Sequence, residues 1–202
     1  VDSNHWIVSL WHRLNRAIWS DAKQIVVLSD SMKARVLRRC PTLDAANISV
    51  IHSWADPTHI QPYPKEDNWF AQAHQLVKSF TVLYSGNIGR CHDVDTMVEA
   101  MDCLKDEAIQ FVFIGGGAKQ PTLQAQVEEL GLTSKVKFLP YQEKQDLPHS
   151  LTACDLSLVS VSEDMGELVA PSKLYSALAA GRPIAAICSE QSYLNPLLSE
   201  KA

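Results

Sequence analysis

Short apolar runs alternate with amphipathic segments from residue 80 to the end of the chain. The apolar runs predict buried β-strands, and segments whose apolar residues recur at helical spacing predict helices. We expect five strands, at 80–85, 109–114, 135–139, 155–161 and 183–187. Helices are expected between them, at 93–104, 119–130, 143–153 and 172–180. Apolar strands separated by helices indicate an α/β fold with a parallel sheet covered on both faces.

The earlier part of the chain has a shorter pattern of the same kind. Two helices and two strands are predicted there, at 4–19, 24–28, 29–39 and 48–51. Three prolines then fall within ten residues, at Pro57, Pro62 and Pro64, which is typical of an interdomain linker. We therefore expect a first domain at 1–56, a linker and crossover at 57–79, and a second domain at 80–202.

Glycine is confined to the second domain, because all eight glycines lie from Gly86 onward. Most of them follow predicted strands, and in parallel sheets ligands bind beyond the carboxyl ends of the strands. Four segments fall at those ends: 86–90, 115–117, 140–141 and 163–172. The pattern therefore predicts a ligand site at one rim of the sheet. The start of the helix after Pro171 is a place to hold phosphate, with Ser172 as its N-cap and Lys173 adding a charge.

Composition and motifs exclude several classes of protein. The net charge of −5 and the absence of a concentrated basic face argue against a nucleic-acid partner. No apolar run is long enough to span a membrane. The histidines lack metal-ligand spacing, so no metal is expected. Gln120 stands where a dinucleotide fingerprint needs glycine, which weakens an NAD assignment. Five cysteines without C-x-x-C spacing favour a reducing cytoplasm.

Three stretches together resemble one enzyme family. They are PSKLYSALAAGRPI (171–184), VLYSGNIGRCHDVDTMVEAM (82–101) and FVFIGGGAKQPTLQAQVEELGLTSKVKFLPY (111–141). In order and spacing they are similar to the C-terminal domain of retaining glycosyltransferases of family 4 (glycosyl transferases group 1). That family has the GT-B architecture of two Rossmann-like domains. The resemblance implies a Rossmann-like doubly wound parallel sheet preceded by a remnant of an N-terminal α/β domain, in a truncated chain that also ends early.

The resemblance also implies a role for each motif. Lys173 would meet the donor diphosphate and act in catalysis. Apart from the resemblance, we choose Arg90 as the second catalytic cation, because its guanidinium can clamp a diphosphate through two hydrogen bonds. Further diphosphate contacts would come from Ser172, from the amide of Leu174, and from the loop residues Gly86, Asn87 and Gly89. The family's loop usually carries an arginine and a lysine where this chain has Asn87 and His92, which leaves open which residue meets the diphosphate.

Base, ribose and sugar contacts are implied at the neighbouring loops. Gly116 and Tyr141 would lie near the base, and Ser176 stands where the family has a carboxylate for the ribose. The family's sugar-facing glutamate falls at Leu168 in this chain. We therefore expect the adjacent Glu167, with Gly166 letting the loop approach, to face the donor sugar, and Glu163 is the alternative. These carboxylates would favour positive charge developing at the anomeric carbon.

The expected function is metal-independent sugar transfer, with retention, from a nucleotide diphosphate sugar to a glycan or lipid-linked acceptor. A UDP-sugar is the favoured donor, no cofactor is implied, and the fragment alone is expected to be inactive. The tryptophan stripe of residues 6–19, with Arg13 and Arg16 off the stripe, suggests peripheral association with the inner face of the membrane. Burial of this stripe against the rest of a domain is the alternative. Two alternatives stay open: a GT-B-type UDP-sugar epimerase, and a non-catalytic nucleotide-binding or interaction module.

Overall fold

The computed structural model describes residues 6–199 of the chain. The chain divides after Ser53 into two compact units. No helix in the described part of the chain has both the length and the apolar character needed to cross a membrane.

The first unit is a small α/β segment. It contains helix α1 (Trp6–Asp21), strand β1 (Ile25–Val27), helix α2 (Asp30–Arg39), a 3₁₀ turn (Ala45–Asn47) and strand β2 (Ile48–Val50). The two strands pair in parallel, with Ile25 opposite Ile48. The Ser29 hydroxyl accepts a hydrogen bond from the amide of Met32 and so caps α2.

Helix α1 carries an apolar stripe that the described part of this unit does not cover. No described residue of the helix is buried, and Trp11 and Ile18 are 64% and 63% exposed. Exposed apolar side chains on one helix face mark a surface suited to a partner or a membrane.

The second unit holds a five-stranded parallel sheet with helices on both faces. Its strands are β3 (Phe80–Ser85), β4 (Ile109–Ile114), β5 (Val136–Leu139), β6 (Leu156–Ser160) and β7 (Ile184–Ile187). Its helices are α3 (Trp69–Ala73), α4 (Val94–Cys103), α5 (Gln120–Glu129), α6 (Leu147–Thr152), α7 (Lys173–Ala179) and α8 (Leu194–Ser199). The strand order is β5-β4-β3-β6-β7, and every pairing is parallel. The expected α/β fold with a parallel sheet is confirmed.

The strand order reverses at β3, which lies between β4 and β6. Six residue pairs join β3 to β4, but only two join β3 to β6. The second ladder ends at Leu83 and Ser157, although both strands continue beyond these residues. The strands therefore separate toward their carboxyl ends and leave a crevice, which is where open α/β sheets bind ligands.

Alternate residues of β3 serve the two faces of the sheet, as the pleat requires. Val82 and Tyr84 belong to a buried cluster with Met97 and Leu123 of the helices on one side. Leu83 belongs to a second cluster on the other side. Because both faces are covered, Val82, Leu83 and Tyr84 are all apolar or aromatic, and no polar alternation marks the two faces in the sequence.

The proline-rich segment that we expected to be a linker belongs to the second unit. Phe70 and Leu76 fill the core beneath the sheet. The Asn68 side chain caps α3 and donates to the Thr152 hydroxyl at 2.9 Å. The Lys65 ammonium is buried against the Asp155 carboxylate and also donates to the Ser79 carbonyl oxygen at 2.8 Å. Residues 65–76 are thus an integral layer of this unit, because their apolar side chains cover one face of the sheet.

Candidate functional site

Two glycine-containing loops at the carboxyl ends of β3 and β4 are hydrogen-bonded to each other. The amide of Ile88 donates to the Gly116 carbonyl oxygen at 2.6 Å, and the amide of Lys119 donates to the Ile88 carbonyl oxygen at 2.9 Å. Gly117 has φ +141°, and a Cβ there would lie 2.4 Å from the Ile88 oxygen. Glycine is therefore required for the close contact of the two loops.

A cleft of about 380 Å³ opens where β3 and β6 separate. Its walls are the β3–α4 loop, helix α6 and the segment leading into α7. The lining residues are Ser85, Gly86, Asn87, Cys91, His92, Leu147, Leu151, Val169, Ala170, Pro171, Ser172, Lys173 and Ser176. They include one lysine and no carboxylate, so the cleft is suited to an anion.

Lys173 is the cation of the cleft, and it enters from the first turn of α7. Its ammonium group donates to the Tyr84 hydroxyl, lies 3.4 Å from the Asn87 carbonyl oxygen and sits 3.8 Å from the centre of the Tyr84 ring. Burial lowers the pKa of Lys173 to about 8. The group is therefore mostly charged at pH 7 and can be neutralised in mild base.

Tyr84 lies beneath the cleft at the end of β3 and is fully buried. Its hydroxyl donates to the Asn87 carbonyl oxygen at 2.9 Å. Burial raises the pKa of Tyr84, so the phenol stays protonated across the physiological range. The tyrosine connects the floor of the cleft to both the loop and Lys173.

His92 forms another part of the cleft wall and is buried. Its Nδ1 lies 2.7 Å from the Ser160 carbonyl oxygen, which can only accept, so Nδ1 carries the proton. Burial, together with the charge of Lys173, lowers the pKa of His92. The neutral ring leaves Nε2 as an acceptor, with the Cys91 thiol 3.6 Å away.

The start of α7 differs in detail from the sequence expectation. Ser172 occupies the N-cap position of α7, as predicted, but it has helical dihedral angles and its side chain makes no capping hydrogen bond. The amide of Leu174 donates to the Pro171 carbonyl oxygen at 3.2 Å, and its side chain is fully buried. That amide is already used within the turn, whereas Ser172 and Lys173 reach the cleft.

The structure brings five of the predicted residues into one cleft. They are Gly86, Asn87, Ser172, Lys173 and Ser176. Gly89 and Arg90 lie farther along the β3–α4 loop, outside the cleft lining. Gly89 is buried, and Arg90 is exposed.

Gly116 and Tyr141 meet at the ends of β4 and β5. A Cβ on Gly116 would lie 3.4 Å from the Tyr141 ring, and one on Gly115 would lie 3.1 Å from it. The ring is 61% exposed. Tyr141 thus presents an open aromatic face beside the glycine loop rather than within the cleft lining.

The acidic loop before α7 does not contribute a carboxylate to the cleft lining. Glu167 is half-buried outside that lining, and Glu163 lines a separate depression near Cys188. A Cβ on Gly166 would lie 2.6 Å from the Ser189 hydroxyl. This glycine therefore allows the loop to pack against the turn after β7.

The sequence-predicted site lacked the polar lining residues Ser85, Cys91 and His92, and it lacked Tyr84, which lies beneath the cleft. His92 stands in the family's lysine position, and that signal was available. Tyr84 was hidden within an apolar strand, since nothing in the sequence shows that its hydroxyl points toward Lys173. Within residues 6–199, no three His, Cys, Asp or Glu side chains cluster so as to hold a metal ion.

The all-parallel sheet, its helices on both faces and the crevice at the reversal of strand order define a Rossmann-like α/β domain. Residues 65–192 match the family model of glycosyl transferases group 1, and the chain belongs to that family.

Two bacterial relatives are also named as glycosyltransferases. The chain is 31% identical over 196 residues to "Probable glycosyltransferase WbjE" of Pseudomonas aeruginosa, covering 95% of this chain and 47% of the relative. It is 36% identical over 100 residues to WcaI of Escherichia coli (strain K12), whose name refers to a colanic acid biosynthesis glycosyl transferase. That alignment covers 50% of this chain and 24% of the relative. The chain thus spans half or less of the length of these relatives.

Two solved structures that contain UDP have the same fold. Anabaena Alr3699/HepE, crystallised with UDP and glucose, superposes with a TM-score of 0.73 over 94% of this chain and 56% of its own, at 16% identity. A mutant of Staphylococcus aureus TarM, crystallised with UDP among other ligands, superposes with a TM-score of 0.61 at 18% identity. The superposition covers 92% of this chain and 34% of TarM.

Proposed function

We propose that this chain supplies the donor-binding part of a retaining, metal-independent glycosyltransferase of family 4. The donor would be a nucleotide diphosphate sugar, with UDP as its nucleotide. The observation that carries the proposal is the cleft at the β3–β6 divergence, which holds the ammonium of Lys173 and no carboxylate among its lining residues. The UDP complex of Alr3699/HepE supports UDP as the nucleotide.

In this proposal each element of the cleft has one task. Lys173 neutralises the diphosphate as it departs, because a charge-assisted hydrogen bond strengthens as negative charge develops. Ser172 and the backbone around Gly86 and Asn87 complete the anion site. Ser176 donates to a ribose hydroxyl. Tyr141 provides a face on which the base can stack.

The acceptor is proposed to be a growing polysaccharide or a lipid-linked glycan. The colanic acid name of WcaI supports this choice. Peripheral membrane association would use the exposed stripe of α1 around Trp11, with Arg13 and Arg16 nearby. A cytoplasmic location at the inner face of the membrane is proposed with it, since all five cysteines are free thiols.

Calorimetric titration with UDP, GDP and ADP tests the donor site. We expect selective binding of UDP, and a Lys173→Ala variant should lose about ten- to a hundred-fold in affinity, because a hydrogen bond to a charged group contributes roughly 1.5–3 kcal/mol. Arg90→Ala should have a smaller effect, since Arg90 lies outside the cleft lining.

Lys105→Ala is the matched control for net charge. Lys105 pairs with Asp102 on the surface, where α4 ends, and should leave UDP affinity unchanged. Equal binding of UDP by the Lys173→Ala and unaltered chains would contradict the proposed donor site.

A non-catalytic nucleotide-binding module is the second candidate. Ser176 favours it, because a serine replaces the carboxylate of the family motif and binds a hydroxyl more weakly. A UDP-sugar epimerase would need several carboxylates around the anomeric carbon, and the cleft lining has none. Sugar transfer by the full-length protein would exclude the module, and this chain alone is proposed to be inactive in transfer.

A further inference from the structure

Tyr84 packs in the core of the second unit and also contacts Lys173 and His92, two residues of the cleft lining. Its ring packs in the core, 5.8 Å from the Phe113 ring and edge-on to His92 at 5.7 Å. The Lys173 ammonium lies over the ring face, 3.8 Å from its centre. The buried side chain of Tyr84 thus contacts both Lys173, the cation of the cleft, and His92, a neutral residue of the cleft wall.

The direction of the hydrogen bonds is fixed by the groups involved. The Asn87 carbonyl oxygen can only accept, so the Tyr84 hydroxyl proton is used in that bond. The lone pairs of the phenol oxygen are then available to the ammonium of Lys173. This arrangement stabilises a charged lysine in a site where burial disfavours the charge.

We infer that Tyr84 is a positioning residue that keeps the Lys173 ammonium charged and aimed into the cleft. The inference rests on the proposed donor site for its use in binding, but the effect of Tyr84 on Lys173 exists in the unliganded chain. Both the phenol oxygen and the ring face contribute, through a hydrogen bond and a cation–π contact.

The titration of Lys173 can be distinguished from that of the other titratable groups that face it. Tyr84 itself stays protonated and His92 stays neutral above pH 7, because burial raises the pKa of the first and lowers the pKa of the second. Cys91 lies close enough for its thiolate to raise the pKa of Lys173. A Cys91→Ser background therefore leaves the lysine as the titrating group of the cleft.

Direct titration of Lys173 is the first experiment. In the unliganded Cys91→Ser chain with ¹³C-labelled lysine, the Cε shift of Lys173, assigned by its loss in Lys173→Arg, should titrate near pH 8. Tyr84→Phe keeps the ring and removes the oxygen, so the midpoint should fall by about one pH unit. Tyr193→Phe, which removes a buried hydroxyl from another core cluster, should leave the midpoint unchanged. An unchanged midpoint in Tyr84→Phe would overturn the inference.

The pH dependence of UDP affinity is the second experiment. Only the charged lysine attracts the diphosphate, so affinity is full well below pH 8 and falls above it. Tyr84→Phe should bind UDP almost normally at pH 6.5 and about tenfold more weakly than its parent at pH 8.5. A loss of equal size at both values would indicate structural damage and contradict a positioning role.

The two experiments distinguish a failure of the proposed donor site from a failure of the positioning role of Tyr84. If the chain binds no UDP but the Lys173 midpoint falls in Tyr84→Phe, the donor site fails and the positioning role stands. If UDP binding depends on Lys173 while neither the midpoint nor the pH profile changes in Tyr84→Phe, only the positioning role fails.

Discussion

Single backbone positions decide the shape of the candidate site. Gly117 combines φ +141° with a Cβ position only 2.4 Å from the Ile88 carbonyl oxygen. Both the dihedral angle and the contact exclude other residues, and they fix the β3–α4 loop in place.

Gly117→Ala should therefore move that loop and weaken UDP binding, with a loss of about 1–3 kcal/mol in the free energy of unfolding. Gly131→Ala is the matched control, because Gly131 also has positive φ but no atom within 4 Å of a Cβ. Urea unfolding and UDP titration of both variants measure the difference. If Gly131→Ala weakened UDP binding as much as Gly117→Ala, the loop contact would not be the cause.

At this scale the sequence predicted the position of Lys173 at the start of α7, beyond the strand ends, but it did not single out Tyr84. A lysine that follows Pro-Ser at the start of a helix has few roles, so its place could be predicted. A tyrosine within an apolar strand looks like any core residue, because its hydrogen-bond partners come from a loop and from α7, 89 residues away in the case of Lys173.

The segment before β3 is tied to the sheet by a buried ion pair. Lys65 is 5% exposed and Asp155 is 33% exposed. The same Asp155 carboxylate accepts from the amide of Thr81 at 2.7 Å. The pair therefore joins the segment to the starts of β3 and β6.

Asp155→Ala should destabilise the chain by about 3–5 kcal/mol, because it leaves the Lys65 charge buried without its partner. The double variant Lys65→Met, Asp155→Ala should recover part of that loss. Asp102→Ala removes an exposed partner of Lys105 and should cost at most about 1 kcal/mol. Thermal unfolding of the four proteins tests the argument, and a small effect of Asp155→Ala would show that water reaches the lysine.

The boundaries predicted from the sequence agree closely with those of the structure wherever a helix or strand has a full apolar face. The five strands of the main sheet agree with prediction within two residues at each end. Helix α3 was not predicted, since its five residues are too short to show periodicity. Helix α6 is shorter than the predicted 143–153 because residues 144–146 form a 3₁₀ turn.

The proposed donor cleft and the exposed stripe of α1 belong to different units of the chain. All lining residues of the cleft lie in the second unit, whereas the exposed stripe of α1 lies in the first. Donor binding and membrane association are therefore expected to be separable by truncation.

A fragment of residues 54–202 should bind UDP within about twofold of the whole chain and should no longer co-sediment with anionic lipid vesicles. A fragment beginning at residue 80 should unfold, because it lacks Phe70 and Leu76, which fill one face of the sheet. Circular dichroism, calorimetry and sedimentation measure these outcomes. A stable 80–202 fragment would support the linker interpretation of 57–79, and vesicle binding by 54–202 would exclude α1 as the anchor.

The sequence by itself determined the α/β class, the parallel strands and the rim of the sheet that carries the site. These features depend on local periodicity and on glycines after strands, which the chain records residue by residue. Only the tertiary structure decided that His92 lines the same cleft as Lys173, with Tyr84 beneath it, while Arg90 and Glu167 lie outside the lining. It also decided that residues 65–76 belong to the core. Contacts between residues far apart in the chain, and the hydrogen-bond partners of buried polar groups, are set by packing and leave no periodic signal in the sequence.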